Sequence, residues 1–399
     1  MSAHAAPAAA RDDGGPSHTA TALTLIVAAL AALGVVLVYS STSVGIALKA
    51  QDATLYLRRQ LLWVFLAAGT FLLARTTDPE WLRRRSWWLL GGAILGLVLV
   101  LVPGVGAKVN GARRWIRVAG FNGQPSELAK LALIVFVAAH ASGRREELRS
   151  FKGALFPMGI TGLVAGLIAV EPDMGTALLV SAVATALLLV GGMRVRHLVL
   201  MGLPGLLGLF VFAARKLDYI WHRVNAFMDP AADPGGVAYQ TRQAVIALGS
   251  GGLTGVGLGE GRQKMLFLPD VHTDFIFALV GEELGFVGGA GVLFMFALLV
   301  MHGMRAVDRA RDQFSFLLAL GITLTLAVQS LLNVAVATAS VPPKGIALPF
   351  VSFGGSHLLA AALAAGLLTR VAADGREPSE SSCFLRRPRA DSQDEVLIA

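Results

Sequence analysis

Apolar stretches long enough to cross a bilayer recur from about residue 21 to residue 371, separated by short polar connections that often contain glycine. A helical crossing takes roughly 20 apolar residues. Within lipid, backbone polar groups must be satisfied inside each segment, which reads such runs as helices. The pattern therefore predicts an all-α integral membrane protein of about ten transmembrane helices. A window of about 19 residues places them at roughly 21–39, 57–74, 87–102, 126–141, 154–170, 175–190, 197–214, 275–302, 314–339 and 352–371. The third is the weakest in hydropathy, and its Trp87-Trp88 pair reads as an interfacial anchor. Residues 1–20 and 372–399 are polar and read as disordered tails flanking a membrane domain over 21–371. The first apolar run has no obvious small-residue cleavage site after it and reads as a retained span.

Composition agrees with this pattern: the 399 residues are 55% hydrophobic and 15% charged, with a mean hydropathy of +0.65. The net charge of +8 could suggest nucleic acid, but excess Lys and Arg in a membrane protein marks cytoplasmic loops. Arg75 with Arg83, Arg84 and Arg85 follows the second span, and Arg144, Arg145, Arg149 and Lys152 follow the fourth. Arg194 and Arg196 follow the sixth, Arg305, Arg309 and Arg311 the eighth, and Arg370 and Arg376 the tenth. Every even-numbered connection is thus arginine-rich, which predicts both termini in the cytoplasm. The outer face then carries residues 103–125, a large extracytoplasmic loop over 215–274 between helices 7 and 8, and residues 340–351. The single cysteine, Cys383, excludes an internal disulfide and a cysteine-only metal cluster.

The outer segments hold the residues that could carry chemistry. Arg113, Arg114 and Arg117 surround Trp115 against the positive-inside trend. They either anchor the chain at the headgroups or clamp phosphate with planar guanidinium donors. Glu127 and Lys130, three residues apart at the start of span four, can pair on one helix face; a charge this deep otherwise faces a cavity. Glu171-Pro-Asp-Met-Gly175 reads as a turn whose acids cap span six. The glycine run from Gly251 to Gly261 lacks the strand–turn–helix setting and the Gly-Lys-Ser/Thr ending of a nucleotide loop, and that reading is rejected.

Beyond it stand Lys264, Asp270, His272 and Asp274, the last at the membrane boundary as an N-cap or as a group at a cavity mouth. Glu282 and Glu283 lie two turns deeper, where a carboxylate needs a reason. Zinc is disfavoured because no second histidine neighbours His272; a loosely held divalent cation, Mg or Mn, bridging to phosphate stays open. Gln329 and Asn333 lie in span nine, with Lys344 and Ser352-Phe-Gly-Gly-Ser356 after it. Small residues there also permit close helix packing.

In order along the chain, Asn110–Ile116 with Gln124–Glu127, Glu171–Gly175, Leu268–Phe277 with Gly281–Gly285, and Asn333 through Leu348-Pro349 to Ser352–Ser356 resemble the SEDS family (shape, elongation, division and sporulation). The Asn-Gly-Ala-Arg-Arg-Trp form and Pro343-Lys344-Gly345 look like its division branch more than its elongation branch. Phe353 stands where the family usually has Tyr, His357 where a small residue is common, and Ala335 and Ala339 where Gly often occurs.

The resemblance implies a peptidoglycan glycosyltransferase that polymerises lipid II at the outer face of the bacterial inner membrane, in septal wall synthesis. It implies Asp274 as general base and Arg113, Arg114, Lys130, Lys264 and Lys344 as phosphate or substrate contacts, with Glu127 organising Lys130. Trp115, His272, Glu282, Glu283, Asn333, Ser352 and Ser356 are the further expected substrate-binding positions. No cofactor is required on this reading beyond the divalent cation left open. The expected partners are a class B penicillin-binding protein and other division-machinery membrane proteins. A lipid II flippase and a non-catalytic scaffold for the transpeptidase are the competing readings.

Overall fold

A computed structural model of the chain describes residues 18–47, 54–109, 112–118, 121–202, 237–263, 271–342 and 344–375. The helices are α1 (His18–Ala47), α2 (Leu55–Thr76), α3 (Pro79–Leu101), α4 (Pro125–Gly143), the short α5 (Arg145–Leu148), α6 (Phe151–Val170), α7 (Met174–Val190), α8 (Val237–Ser250), α9 (Ile276–Asp308), α10 (Gln313–Ala337) and α11 (Gly355–Asp374). Eight of them are long and apolar enough to cross a membrane, and α7 is a shorter apolar helix. Residues 195–202 are also helical; the rest of the seventh expected span, Lys264, Asp270 and much of the 215–274 loop lie outside the described residues. Within that loop, α8 is a helix the hydropathy pattern did not separate.

Two local expectations change. Arg83, Arg84 and Arg85 do not lie in a connection: α3 begins at Pro79, eight residues before Trp87, and carries them in its first turns. Proline at the first helical position is preorganised for a helix start, and the Asp78 carboxylate accepts a hydrogen bond from the Glu80 amide. Glu80 then pairs with Arg83 and Arg84 along the helix surface, both at 3.0 Å. The window missed this start because the arginines depress hydropathy over a stretch whose local chemistry is helical. The chain is also not wholly helical: β1 (Gly106–Val109), β2 (Ala112–Val118) and β3 (Phe121–Gly123) form an antiparallel sheet in the order β1-β2-β3. It crosses the outer ends of α3 and α4.

Helix packing uses small residues where backbones approach, as membrane bundles do. A methyl added to Gly355 would overlap the Trp63 ring, and one on Gly366 would meet Phe71 and Ala74, which fixes α11 against α2. A methyl on Gly34 would stand 2.8 Å from the carbonyls of Phe350 and Val351, seating the last outer connection on α1. Large apolar side chains such as Phe65, 75% exposed, and Trp88, 80% exposed, cover the outside, where lipid is their natural solvent.

The glycine run has a structural purpose of another kind. Helix α9 is interrupted at Gly285, whose φ of 67° and ψ of −166° are non-helical, and an interruption leaves amides and carbonyls without intrahelical partners. Residues 251–257 supply them. The Glu282 and Glu283 carbonyls accept from the Val256 and Gly257 amides at 3.0 and 3.1 Å, and the Phe286 and Val287 amides donate to the Gly252 and Leu253 carbonyls at 2.9 and 3.1 Å. Irregular backbone at membrane depth is tolerated only where protein buries it, and this loop is that protein. Glycine is demanded by contact: a methyl on Gly251, Gly255 or Gly285 would collide with backbone across the junction.

Gly255→Ala, at a φ of 82° and against the Glu283 carbonyl, is expected to destabilise the fold by about 2–4 kcal/mol. Gly69→Ala, with nothing within 4 Å of the added methyl, should change it by less than about 0.5 kcal/mol. Thermal unfolding of the detergent-solubilised protein reads both.

Candidate active site

The outer ends of α4, α7, α9, α10 and α11 converge, and a chain of hydrogen bonds joins them. It begins in α4, where Pro125 opens the helix and brings Glu127 and Lys130 onto its buried face. Lys130 Nζ lies 3.1 Å from Glu127 Oε1 and 3.0 Å from Oε2. It also donates to Gln329 Oε1 of α10 at 3.3 Å. His357 of α11 places Nδ1 3.1 Å from Glu127 Oε2 and 3.4 Å from Gln329 Nε2. All four side chains are buried, and they line one cavity of about 30 Å³ whose other walls, apart from Thr325, are apolar, among them Leu131, Ile134, Leu326 and Ala361. That volume admits a couple of waters. A net-neutral carboxylate–ammonium pair with further hydrogen bonds is the form in which charge survives such burial.

Gln329 passes the chain outward, its Nε2 donating to the Ala347 carbonyl at 3.1 Å. One turn up, Asn333 Nδ2 donates to the carbonyls of Ile346 at 2.7 Å and Asp274 at 3.0 Å. Ser352 Oγ accepts from the Leu348 amide at 2.8 Å and donates to the Thr273 carbonyl at 2.6 Å. The Phe353 amide adds a bond to the His272 carbonyl at 2.9 Å. The turn that carries His272, Thr273 and Asp274 is therefore held by its backbone, leaving the Asp274 carboxylate beside Gly345. A methyl on Gly345 would stand 3.0 Å from Asp274 Oδ2, so glycine lets the carboxylate approach the chain next to Lys344. The Lys344 stem lies along Gly175, where an added methyl would be 3.5 Å from Lys344 Cδ and 3.1 Å from Ile346 Cδ1.

The sheet closes the far side. Arg113 and Trp115 are half-buried on β2. Arg114 Nε donates to the Glu171 carbonyl at 2.8 Å, and a second guanidinium nitrogen donates to the Pro172 carbonyl. Asp173 caps α7 through the Thr176 amide at 3.2 Å and reaches Gln124 at 3.4 Å. The turn over 171–175 thus caps a helix, as its composition suggests, and also docks the arginine strand. Both Glu171 carboxylate oxygens are buried without a hydrogen-bond partner among the described residues. Burial first, and the Asp173 charge second, push the carboxyl up to about 8 against the opposing pull of Arg114.

Not every expected residue joins this assembly. Glu282 and Glu283 serve the α9 junction: Glu282 Oε1 accepts from the Arg262 and Gln263 amides at 2.7 and 3.2 Å, and Ser40 Oγ donates to Glu283 at 2.6 and 2.7 Å. Ser356 is half-buried at the start of α11 with its hydroxyl unpartnered among the described residues. Lys264 lies outside the described residues. Tyr56 was not foreseen; its ring stands 5.5 Å from His272 and 5.2 Å from Phe353, bracing the Asp274 turn. Ser40 also escaped, although Ser40-Ser41-Thr42 ending an apolar span is the kind of signal that marks an internal polar partner. Among the described residues no three His, Cys, Asp or Glu side chains group closely enough to hold a metal.

Comparison with known proteins gives a consistent answer. Residues 20–377 match the cell cycle protein family FtsW/RodA/SpoVE. The probable peptidoglycan glycosyltransferase FtsW of Trichlorobacter lovleyi is 41% identical over 88% of this chain and 92% of its own length. The stage V sporulation protein E of Bacillus subtilis is 38% identical over 88% and 95%. Among solved structures, a peptidoglycan synthase complex that coordinates polymerization and crosslinking aligns with a TM-score of 0.68 at 30% identity, over 88% of this chain and 97% of the other. The rod shape determining protein RodA of Thermus thermophilus aligns at 0.64 and 30%, over 89% and 97%.

A carboxyl raised in the folded state binds its proton more tightly there than in the unfolded chain, so stability falls as pH rises from the ordinary carboxylate range through the folded value. The native protein should therefore lose thermal stability between about pH 4.5 and about 8 relative to Glu171→Gln, whose amide does not titrate. Melting temperatures of the two proteins across that range check the sign; parallel curves would contradict the assignment.

Proposed function

This chain belongs to the FtsW/RodA/SpoVE family of cell cycle proteins, and from that premise we propose that it polymerises lipid II into glycan strands, with Asp274 as general base. The supporting observation is a carboxylate at the outer end of α9, its backbone held by Asn333 and Ser352, with the buried Lys130 ammonium bonded to Gln329 one turn below Asn333 on α10. The acceptor hydroxyl gives its proton to Asp274 as its oxygen bonds to the donor's anomeric carbon. The bond from that carbon to the diphosphate oxygen breaks, and its electron pair leaves with the lipid diphosphate. A single displacement of this kind inverts the anomeric centre.

A base within hydrogen-bond reach contributes roughly 10²–10⁴ in rate. Fixed cations aimed at the departing diphosphate add electrostatic stabilisation without reorganising. Lys130, Lys344, Arg113 and Lys264 are the cations assigned that role. Arg114 is assigned to docking the sheet on the 171–172 turn, and Glu127 to holding Lys130. Mg²⁺ or Mn²⁺ would find Asp274 as a protein ligand and take its remaining oxygens from substrate phosphate and water, the usual way such ions are held at phosphoryl sites.

A translocation path is less well supported. Ionisable groups would have to continue across the bundle, yet α10 carries no charged residue over its whole length. The chain works at the bacterial inner membrane, at the division septum, beside a class B penicillin-binding protein that crosslinks the strands.

Purified protein with that transpeptidase and lipid II should yield glycan polymer on gels. Asp274→Asn, which keeps shape and loses the base, should lower turnover by about 10²–10⁴. Polymer from Asp274→Asn at the native rate would remove the base assignment. Transfer of lipid II across vesicles without polymer would favour the flippase.

A further inference from the structure

Helix α2 carries two arginines, Arg58 and Arg59, in its first two turns, and the mechanism above uses neither. These turns lie at the same end of the bundle as Asp274, since the Tyr56 ring is 5.5 Å from His272 and 5.2 Å from Phe353. Basic residues otherwise gather on the cytoplasmic side of a membrane protein, and an arginine within a span faces a partner, a cavity or the headgroups. The two arginines part company on the helix surface. Arg58 is two positions from Tyr56 and so lies on another side of the helix. Its neighbours one turn on are Leu61 and Leu62, 49% and 45% exposed, on the face that lipid covers. Arg59 stands three positions after Tyr56 and four before Trp63, the spacings that share a face, and Trp63 packs on Gly355 where α11 begins. Arg59 is therefore at the rim of the face that α2 turns toward the 353–355 segment and, at Tyr56, toward the turn that carries Asp274. Long side chains on a helix lean toward its N-terminus, which carries the Arg59 guanidinium outward to the level of Tyr56. Arg59 is exposed and makes no hydrogen bond or ion pair among the described residues.

We propose that Arg59 binds a second lipid diphosphate, that of the acceptor. The inference rests on the lipid II polymerase reading, whose chemistry requires two such groups. Joining two lipid II molecules brings two diphosphates to one membrane face. The donor's is bonded to the carbon under attack, so its cations belong close to Asp274. The acceptor's sits at the lipid end of a saccharide whose other end carries the attacking hydroxyl. Its counter-charge therefore belongs at headgroup level and on another side of the base from the donor's cations. Arg59 is on α2, against the His272 side of the Asp274 turn, whereas the Lys344 stem lies along Gly175 of α7. A guanidinium offers planar paired donors that match phosphate. Cations on separate helices also hold apart two anions that would otherwise repel each other.

The full-length protein with the transpeptidase in detergent tests this with three synthetic lipids. The donor is lipid II with its attacking hydroxyl removed, which can donate but not accept. One acceptor is lipid II with a methylene in place of the anomeric oxygen, which keeps the charge and cannot donate. The other carries the same saccharide on an uncharged lipid. Native protein should use the charged acceptor at a KM about tenfold lower, the size of one charge-assisted contact near water, with similar kcat. Arg59→Gln should give the two acceptors similar KM values. Arg59→Lys, a point charge without the planar fork, should restore part of the preference, and Arg58→Gln, on the lipid-facing side, should keep all of it. An Arg59→Gln protein that retains the native preference overturns the proposal, as does a native protein that shows none; either result leaves Arg59 a headgroup anchor only. Failure of native protein to couple the donor to either acceptor would sink the polymerase reading instead. Direct binding of the two acceptors then decides the anion site: tighter binding of the charged one that Arg59→Gln loses upholds the inference, and equal binding overturns it.

Discussion

Glu127 and Lys130 face each other at 3.0 Å inside a membrane bundle, and the surrounding architecture follows from the cost of keeping them there. Removing one member of a buried pair strands the other at about 3–5 kcal/mol, whereas replacing both with apolar groups is often neutral or stabilising. Stability alone therefore does not explain the pair. What it provides is a fixed point: Lys130 engages Gln329, Gln329 engages the Ala347 carbonyl, and Asn333 one turn above engages both Ile346 and the backbone of Asp274. A charged group deep in α4 is thus connected to a carboxylate at the membrane boundary by side chains of one helix, α10. An interior in which an unpartnered polar atom is costly becomes a means of positioning one.

The same constraint shapes α9. A helix that breaks near the site must have its freed amides and carbonyls answered, and the glycine loop before it does so with four backbone hydrogen bonds. Glu282 and Glu283 belong to this junction, each bonded to a partner far away in sequence. Their depth made them look like substrate contacts, and the structure gives that depth another cause. The break also separates the short outer piece of α9, which follows directly from Asp274, from the long span below it. The orientation of the turn that carries Asp274 is consequently set by the loop and by Asn333 and Ser352, rather than by a continuous rod through the bilayer.

Much of this was legible in the residues. Apolar run length located most of the described spans within a few residues, because lipid penalises every unsatisfied backbone group equally along the chain. The glycines at 251–261 lack the setting of a nucleotide loop, yet the reason for those at 251–257 was not readable, since it lies in contact with residues about thirty positions later. The arginines at 83–85 misled because hydropathy and helix propensity disagree there, and the start signal of Asp78-Pro79-Glu80 was the better guide. The sheet over 106–123 was hidden by its length, its strands being shorter than any window tuned to membrane spans. The His357–Glu127 contact joins residues 230 apart, and no local pattern announces it.

On this reading the Glu127–Lys130 pair serves the chemistry and not the fold. A variant carrying both Glu127→Leu and Lys130→Met separates the two. Its melting temperature should be near or above the native value while each single variant falls, and its lipid II polymerisation with the transpeptidase should remain abolished. A double variant that polymerises lipid II at the native rate would contradict the claim.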